Sequence, residues 1–225
     1  MLSDLEQNPW PALADQPPFV LPCDESHIVS FNSRARAEHY LHLGIVPEPY
    51  LGDPKAPVIL LNLNPGFSET DVATHLKPAF YAAARANLLH SHQSYPFYLL
   101  NSKLPSPGRD WWFRKLRPLI ERVGLPAVAS SVFVAEVHGY HSRRYGRQSK
   151  PFPSQQYTRR LVREAVERNA LIVIMRAGRL WRSLVPELTK HPSLGYLHSV
   201  QSASISPRNC PEFFEEIVGA IQKAG

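Results

Sequence analysis

The chain has 225 residues, 44% of them apolar and 20% charged, with a formal net charge of +6, a composition that describes one globular domain with a sizeable core. No apolar run approaches the roughly 18 to 20 residues that cross a bilayer, and MLSDLEQNPW lacks the basic start and apolar middle of a signal peptide. Cys23 and Cys210 stand alone without CxxC spacing, which argues against zinc and iron-sulfur clusters. The expectation is a soluble, cytoplasmic monomer with reduced thiols, no cofactor and no metal.

Residues 1–57 carry nine of the 22 prolines and are expected to form an irregular arm packed on a single domain spanning 58–225. One helix is expected in the arm, from Ser33 to Leu43, ending before Gly44. Val58 to Leu63 is a continuous apolar run between Pro57 and Pro65, which fits a strand covered on both faces and so a parallel sheet. Lys77 to Leu89 is alanine-rich and helix-prone. Asp110 to Val123 places Trp112, Leu116, Leu119, Ile120 and Val123 on one helical face, with Pro118 expected to kink or split it. The turn at Pro105 to Gly108 delivers Asp110 and Trp111 to the start of that helix, and Trp111 and Trp112 are read as core anchors. Ser131 to Val137 and Leu171 to Met175 are two further buried runs, separated by a helix that Ser154 can cap. A last helix near Pro211 to Gln222 carries Glu212, Glu215 and Glu216 in its early turns. Strands alternating with helices predict a three-layer α/β/α fold around a central, mostly parallel sheet.

In such a sheet ligands bind beyond the carboxyl ends of the strands, so the loops after residues 63, 137 and 175 and the segment before the last helix are expected to line a site. The charge is local too. Arg143, Arg144, Arg147, Lys150, Arg159, Arg160 and Arg163 lie between Glu136 and Glu164 with no acid among them, and without those seven the chain would carry one net negative charge. That is the pattern of a polyanion-binding patch or of a solvated face. Interleaved aromatic residues at Tyr145, Phe152 and Tyr157 suit a nucleic-acid strand.

The motif NLNPG at 62–66, following an apolar strand, resembles the first motif of the uracil-DNA glycosylase superfamily, closest to its mismatch-specific and single-strand-selective branches. QSASISPRN at 201–209 resembles the second motif, a Ser- and Pro-containing loop before a helix, and residues 154–185 resemble the helix, strand, turn and helix between them. The resemblance covers roughly residues 57–221. It implies a uracil-DNA glycosylase-like fold, DNA rather than RNA as partner, a role in DNA repair, and hydrolysis of the N-glycosidic bond of a flipped base. It implies that Asn64 positions the attacking water, that Gln201 stands where a histidine stabilises the departing base, and that Glu136 stands near a base-reading asparagine. His198 replaces that histidine only if the loop is offset. Gly66 allows close backbone approach, Phe67 or Phe80 stacks on the base, and His138 faces the pocket; Arg143, Arg144, Arg147, Lys150, Ser204, Ser206 and Arg208 would hold the backbone of the nucleic acid.

Each of these residues has a plainer role as well. Asn64 can simply cap a turn, Phe67 and Phe80 can be core, and Glu136 can pair with Arg143. The histidines of HGYH, 138–141, have a spacing open to metal but fit a pocket or phosphate better. Taken as ionised, Glu136 accepts hydrogen bonds and donates none, which disfavours uracil and favours a base with an exocyclic amine. The choice stands between a glycosylase and a binding module on the same fold that has lost catalysis. An unrelated α/β hydrolase or transferase is weakened by the absence of GxSxG, P-loop and GxGxxG motifs.

Overall fold

The computed structural model describes residues 7–224. Its centre is a five-stranded sheet in the order β1-β3-β2-β4-β5, formed by Tyr50–Leu51 (β1), Val58–Leu61 (β2), Val132–Ala135 (β3), Leu171–Ile174 (β4) and Leu194–Tyr196 (β5). All neighbours pair in parallel except the edge strand β1, which runs antiparallel to β3. Every residue of β2, β3 and β4 is buried, as expected of parallel strands covered on both faces.

Eight α-helices are present among the described residues: Glu25–Asn32 (α1), Glu69–His75 (α2), Pro78–Leu88 (α3), Pro107–Val123 (α4), Leu125–Ser131 (α5), Gln155–Glu167 (α6), Gly178–Leu184 (α7) and Phe214–Ala224 (α8). The arrangement is an α/β fold with a mixed, mostly parallel sheet, consistent with three layers. No helix among the described residues is long and apolar enough to cross a membrane.

Helices α3, α4, α6 and α8 and strands β2, β3 and β4 sit close to the predicted positions, since long amphipathic or wholly apolar runs override local preference, whereas α2, α5 and β5 form where no element was expected. Helix α4 starts three residues early because the Ser106 hydroxyl accepts from the Arg109 backbone N–H, and it runs through Pro118 as one element. The arm departs from expectation. Its helix is α1, upstream of the predicted 33–43, where only a single 3-10 turn at Ala37–His39 forms. The chain there is held instead by tertiary hydrogen bonds: the side chain of Asn32 donates to Leu41 O and accepts from Leu41 N. The arm also belongs to the core, burying Trp10, Phe19, Leu21 and Ile28 and supplying β1.

One contact places the arm beside the predicted ligand end of the sheet. Glu48 N donates to Gly139 O and Glu136 N donates to Pro49 O. A Cβ at Gly139 would stand 2.8 Å from Pro49, so only glycine permits this approach. The glycine of HGYH thus serves packing between arm and loop.

Candidate functional site

Beyond the carboxyl ends of β2, β3 and β4 lies a cavity of about 310 Å³, at the lower end of the range for small-ligand sites. Asn62, Asn64, Gly66 and Phe67 reach it from β2, Glu136 and His141 from β3, Arg176 from β4, and Trp111 from α4.

The Asn64-Pro65-Gly66 turn is clasped by the loop after β3. Ser142 N donates to Pro65 O, and His141 Nδ1 lies 2.7 Å from Gly66 O. The Asn64 amide is fixed through its nitrogen: Nδ2 donates to Pro65 O at 3.0 Å, Ser142 O at 3.2 Å and Ser142 Oγ at 3.0 Å. Its oxygen forms no hydrogen bond among the described residues, so the group presents an acceptor from a locked position on the cavity wall. Gly66 is exposed, and a Cβ there would have no atom within 4 Å.

Deeper in, Asn62 Nδ2 donates to Glu136 Oε1 at 3.0 Å, while Trp181 Nε1 donates to Asn62 O at 2.6 Å and pins the strand end to α7. Asn62 Oδ1 and Glu136 Oε2 are buried without a partner. Burial pushes the Glu136 carboxyl up to about 8, against the lowering effect of the Asn62 bond, so at neutral pH it is mostly the neutral acid. This corrects the expectation of an ionised Glu136. A neutral acid has an O–H to donate, and the hydrogen-bonding case against uracil lapses. The pairing of Glu136 with Arg143 also fails, because Arg143 forms an exposed ion pair with Glu69. The charges that act on Glu136 are the Glu48 carboxyl, which raises it further, and Arg176, which lowers it; Arg176 has its guanidinium carbon 5.7 Å from the Trp111 ring centre and its Nε unpartnered.

Of the two aromatic candidates, Phe80 is buried, with its ring against His75 and Tyr98. Phe67 is half-buried and stacked on His42, with centroids 3.4 Å apart and planes 5° from parallel. Burial holds His42 below the usual histidine range, so Phe67 rests on a mostly uncharged ring. The reading of both tryptophans as core anchors holds for Trp112; Trp111 is half-buried and lines the cavity.

Several expected residues lie elsewhere. His138 is sealed in the core against Tyr145 and Phe152, with both ring nitrogens unpartnered and its basicity pushed down to about 3 by burial. Gln201 is exposed and does not line the cavity, nor does His198, which pairs with Glu212. The loop after Val200 is shaped internally: Asn209 Nδ2 donates to Ser199 O and Ser204 O, and the Ser202, Ser204 and Ser206 hydroxyls form a chain. Ser204 and Ser206 are half-buried in that loop, and Arg208 is exposed outside the cavity. The loop meets α4 at Lys115, whose carbonyl accepts from Ile205 N and whose ammonium donates to Ser202 O and sits 5.3 Å from the Trp111 ring centre.

The basic run is divided. Arg143 lines the cavity, while Arg144 is exposed and its backbone ties the loop to Glu38 and His39. Arg147 and Lys150 line a separate shallow groove of about 630 Å³ with Arg34, Arg36, His27 and His39, and no acid among the described residues lines it. Arg160 pairs with Glu164 within α6, and Arg163 of α6 pairs with Glu187 of the 3-10 turn Pro186–Lys190.

The residues that sequence reasoning missed are Asn62, Arg176, Glu48, Asp71 and His75, all on the cavity wall. Asn62 had a readable signal, since it lies two residues before Asn64, and Arg176 follows the third buried run directly. Glu48 had none, because its place depends on how the arm folds back.

Together these features define an α/β protein with a small, partly aromatic cavity at the ligand end of its sheet, walled by an anchored amide and a neutral acid. Compared with known proteins, the chain matches no family model, no curated protein and no solved structure.

Proposed function

We propose that this chain receives a nucleobase, turned out of a nucleic-acid strand, in the cavity between Asn64 and Glu136, and hydrolyses its N-glycosidic bond as a diverged uracil-DNA glycosylase-like enzyme. The observation that carries the reading is the Asn64 amide, locked by its nitrogen and offering its oxygen. A water donating to that oxygen is oriented with a lone pair free for attack on the sugar carbon while the base leaves. An amide orients water without removing its proton, so the rate is modest.

Asn62 and Glu136 supply the base-reading pair. The neutral Glu136 donates from Oε2 and Asn62 accepts at Oδ1, which complements a base edge carrying one acceptor beside one donor, as in uracil or hypoxanthine. The leaving-base role assigned in sequence to Gln201 passes to Glu136 and Arg176, a donor and a cation on the same cavity wall. Phe67 and Trp111 offer stacking surfaces. Arg143 at the rim and the acid-free groove holding Arg147 and Lys150 supply phosphate contacts. The motif order along the chain supports the same reading.

The exposed position of Gln201 favours a second reading, a base-binding module without turnover. Incubation of wild type and Asn64→Ala with labelled oligonucleotides carrying uracil, hypoxanthine, xanthine or a mismatch separates the two. Abasic product from wild type alone supports the enzyme, and salt-sensitive binding without product supports the module.

A further inference from the structure

At the back of the same cavity, Glu48 from the arm, His75 from the end of α2 and His141 from the loop after β3 bring one ligand atom each within 4.8 Å of one another, and all three are buried. Their hydrogen bonding does not close. His141 Nδ1 faces Gly66 O at 2.7 Å, while Nε2 faces Val46 O at 3.1 Å and Glu48 Oε2 at 3.9 Å. A neutral imidazole donates from one nitrogen only. The shorter contact takes that proton at Nδ1 and leaves a lone pair on Nε2 directed at two oxygen atoms. His75 is 2% exposed, makes no hydrogen bond among the described residues, and has a sealed, unpartnered Nδ1. Glu48 is buried, and one of its oxygens is held by the Tyr98 hydroxyl while the other turns to His141. Lone pairs therefore converge with too few hydrogens between them, and a cation resolves the deficit.

We propose that Glu48, His75 and His141 form a binding site for a zinc-class divalent cation that opens on the cavity. Two imidazoles and one carboxylate are borderline donors that suit Zn²⁺ or Co²⁺ better than Mg²⁺ or Ca²⁺. The Nδ1–H donated to a backbone carbonyl is the outer arrangement that orients a metal-binding histidine. Tetrahedral zinc with bonds of about 2.1 Å sets its ligand atoms about 3.4 Å apart. The 3.9 Å between His141 and Glu48 closes to that with a shift of about half an ångström, and the His75 atom, within 4.8 Å of the other two, closes with a ring movement of about 1 Å. Three protein ligands leave a fourth position, and because all three line the cavity it faces the bound ligand. The competing arrangement is a proton in place of the metal, kept on the buried Glu48 carboxyl, which desolvation raises, and turned toward His141 Nε2. The inference is independent of the glycosylase reading.

The test is Zn²⁺ titration of the purified full chain in competition with a chromophoric chelator, with Co²⁺ absorption as the geometric readout. One equivalent of Zn²⁺ is expected, together with a visible Co²⁺ band of four- or five-coordinate character. His75→Ala and Glu48→Gln should each weaken binding by more than about 100-fold, beyond the loss caused by an outer-shell change alone. Glu48→Gln keeps the shape of the side chain, so it serves if His75→Ala fails to fold. Absence of tight Zn²⁺ binding, or an equivalent that persists unchanged in the folded variants, overturns the assignment in favour of the protonated pair or of exposed histidines.

Discussion

Replacing Glu136 by glutamine removes an acid that the fold holds against its ordinary ionisation, and the cost of that strain is measurable. The carboxyl is fully buried and is raised from 4.5 to about 8, chiefly by desolvation. A raised acid keeps its proton in the folded state after the unfolded chain has released it. The folded state therefore binds more protons between pH 4.5 and 8, and stability falls as pH rises through that window. At about 1.4 kcal/mol per pH unit, the loss is about 3 kcal/mol by pH 7 and about 4 kcal/mol by pH 8. Glutamine keeps the acceptor for Asn62 Nδ2 and places an N–H where the acid has its O–H, so the two proteins should be nearly equal near pH 5. Urea unfolding at half-unit steps from pH 5 to 8 should show the variant gaining several kcal/mol over wild type across the range. Glu48, also raised by burial, adds to the Glu136 shift by like-charge repulsion, so part of the difference between the two proteins belongs to the pair. Parallel profiles would refute the neutral-acid account and with it the base-reading pair.

His138 gives the opposite sign. Its pKa is lowered to about 3, so the unfolded chain takes up a proton first and stability is lost as pH falls below 6.5. His138→Phe, which keeps a ring against Tyr145 and Phe152, should stabilise the protein at pH 5 by about 2 kcal/mol and by less at pH 8, measured by the same unfolding series. Gly66→Ala adds a methyl that meets no protein atom within 4 Å, so unfolding should move by no more than about 0.5 kcal/mol while oligonucleotide binding weakens. Unchanged binding would place the ligand elsewhere. Arg143→Ala removes an exposed ion pair with Glu69 and a cation–π contact with Phe67, and should leave stability within about 1 kcal/mol. The slope of binding against salt should fall by about one ion, and an unaltered slope would remove Arg143 from the phosphate contacts.

The centre of the sheet was legible because β2, β3 and β4 are uninterrupted apolar runs bounded by turn residues, whereas β5 is three residues with a glycine at its middle and gives no such run. Strand β1 has two residues, too few for periodicity to register, and the arm helix was misplaced because Asn32 and Leu41 fix that chain by a long-range bond. Asn64 and Gly66 were readable from their place after an apolar strand. Glu136 was readable as a position and misread as a charge, since its protonation depends on burial that only the packed structure supplies. Gln201 and His138 failed for one reason: linear order says which loop a residue belongs to, while direction depends on the packing of that loop. The Asn209 brace turns residues 199–206 inward on themselves, and the close contact at Gly139 turns His141 toward the cavity while His138 enters the core.

The central claim is that the anchored amide of Asn64 positions a water for base release. A single-turnover assay of wild type and Asn64→Ala on oligonucleotides bearing uracil or hypoxanthine, with binding measured in parallel, addresses it directly. Abasic product from wild type, reduced by about 100-fold or more in a folded variant that still binds, is the predicted result. Equal turnover in the two proteins would contradict it.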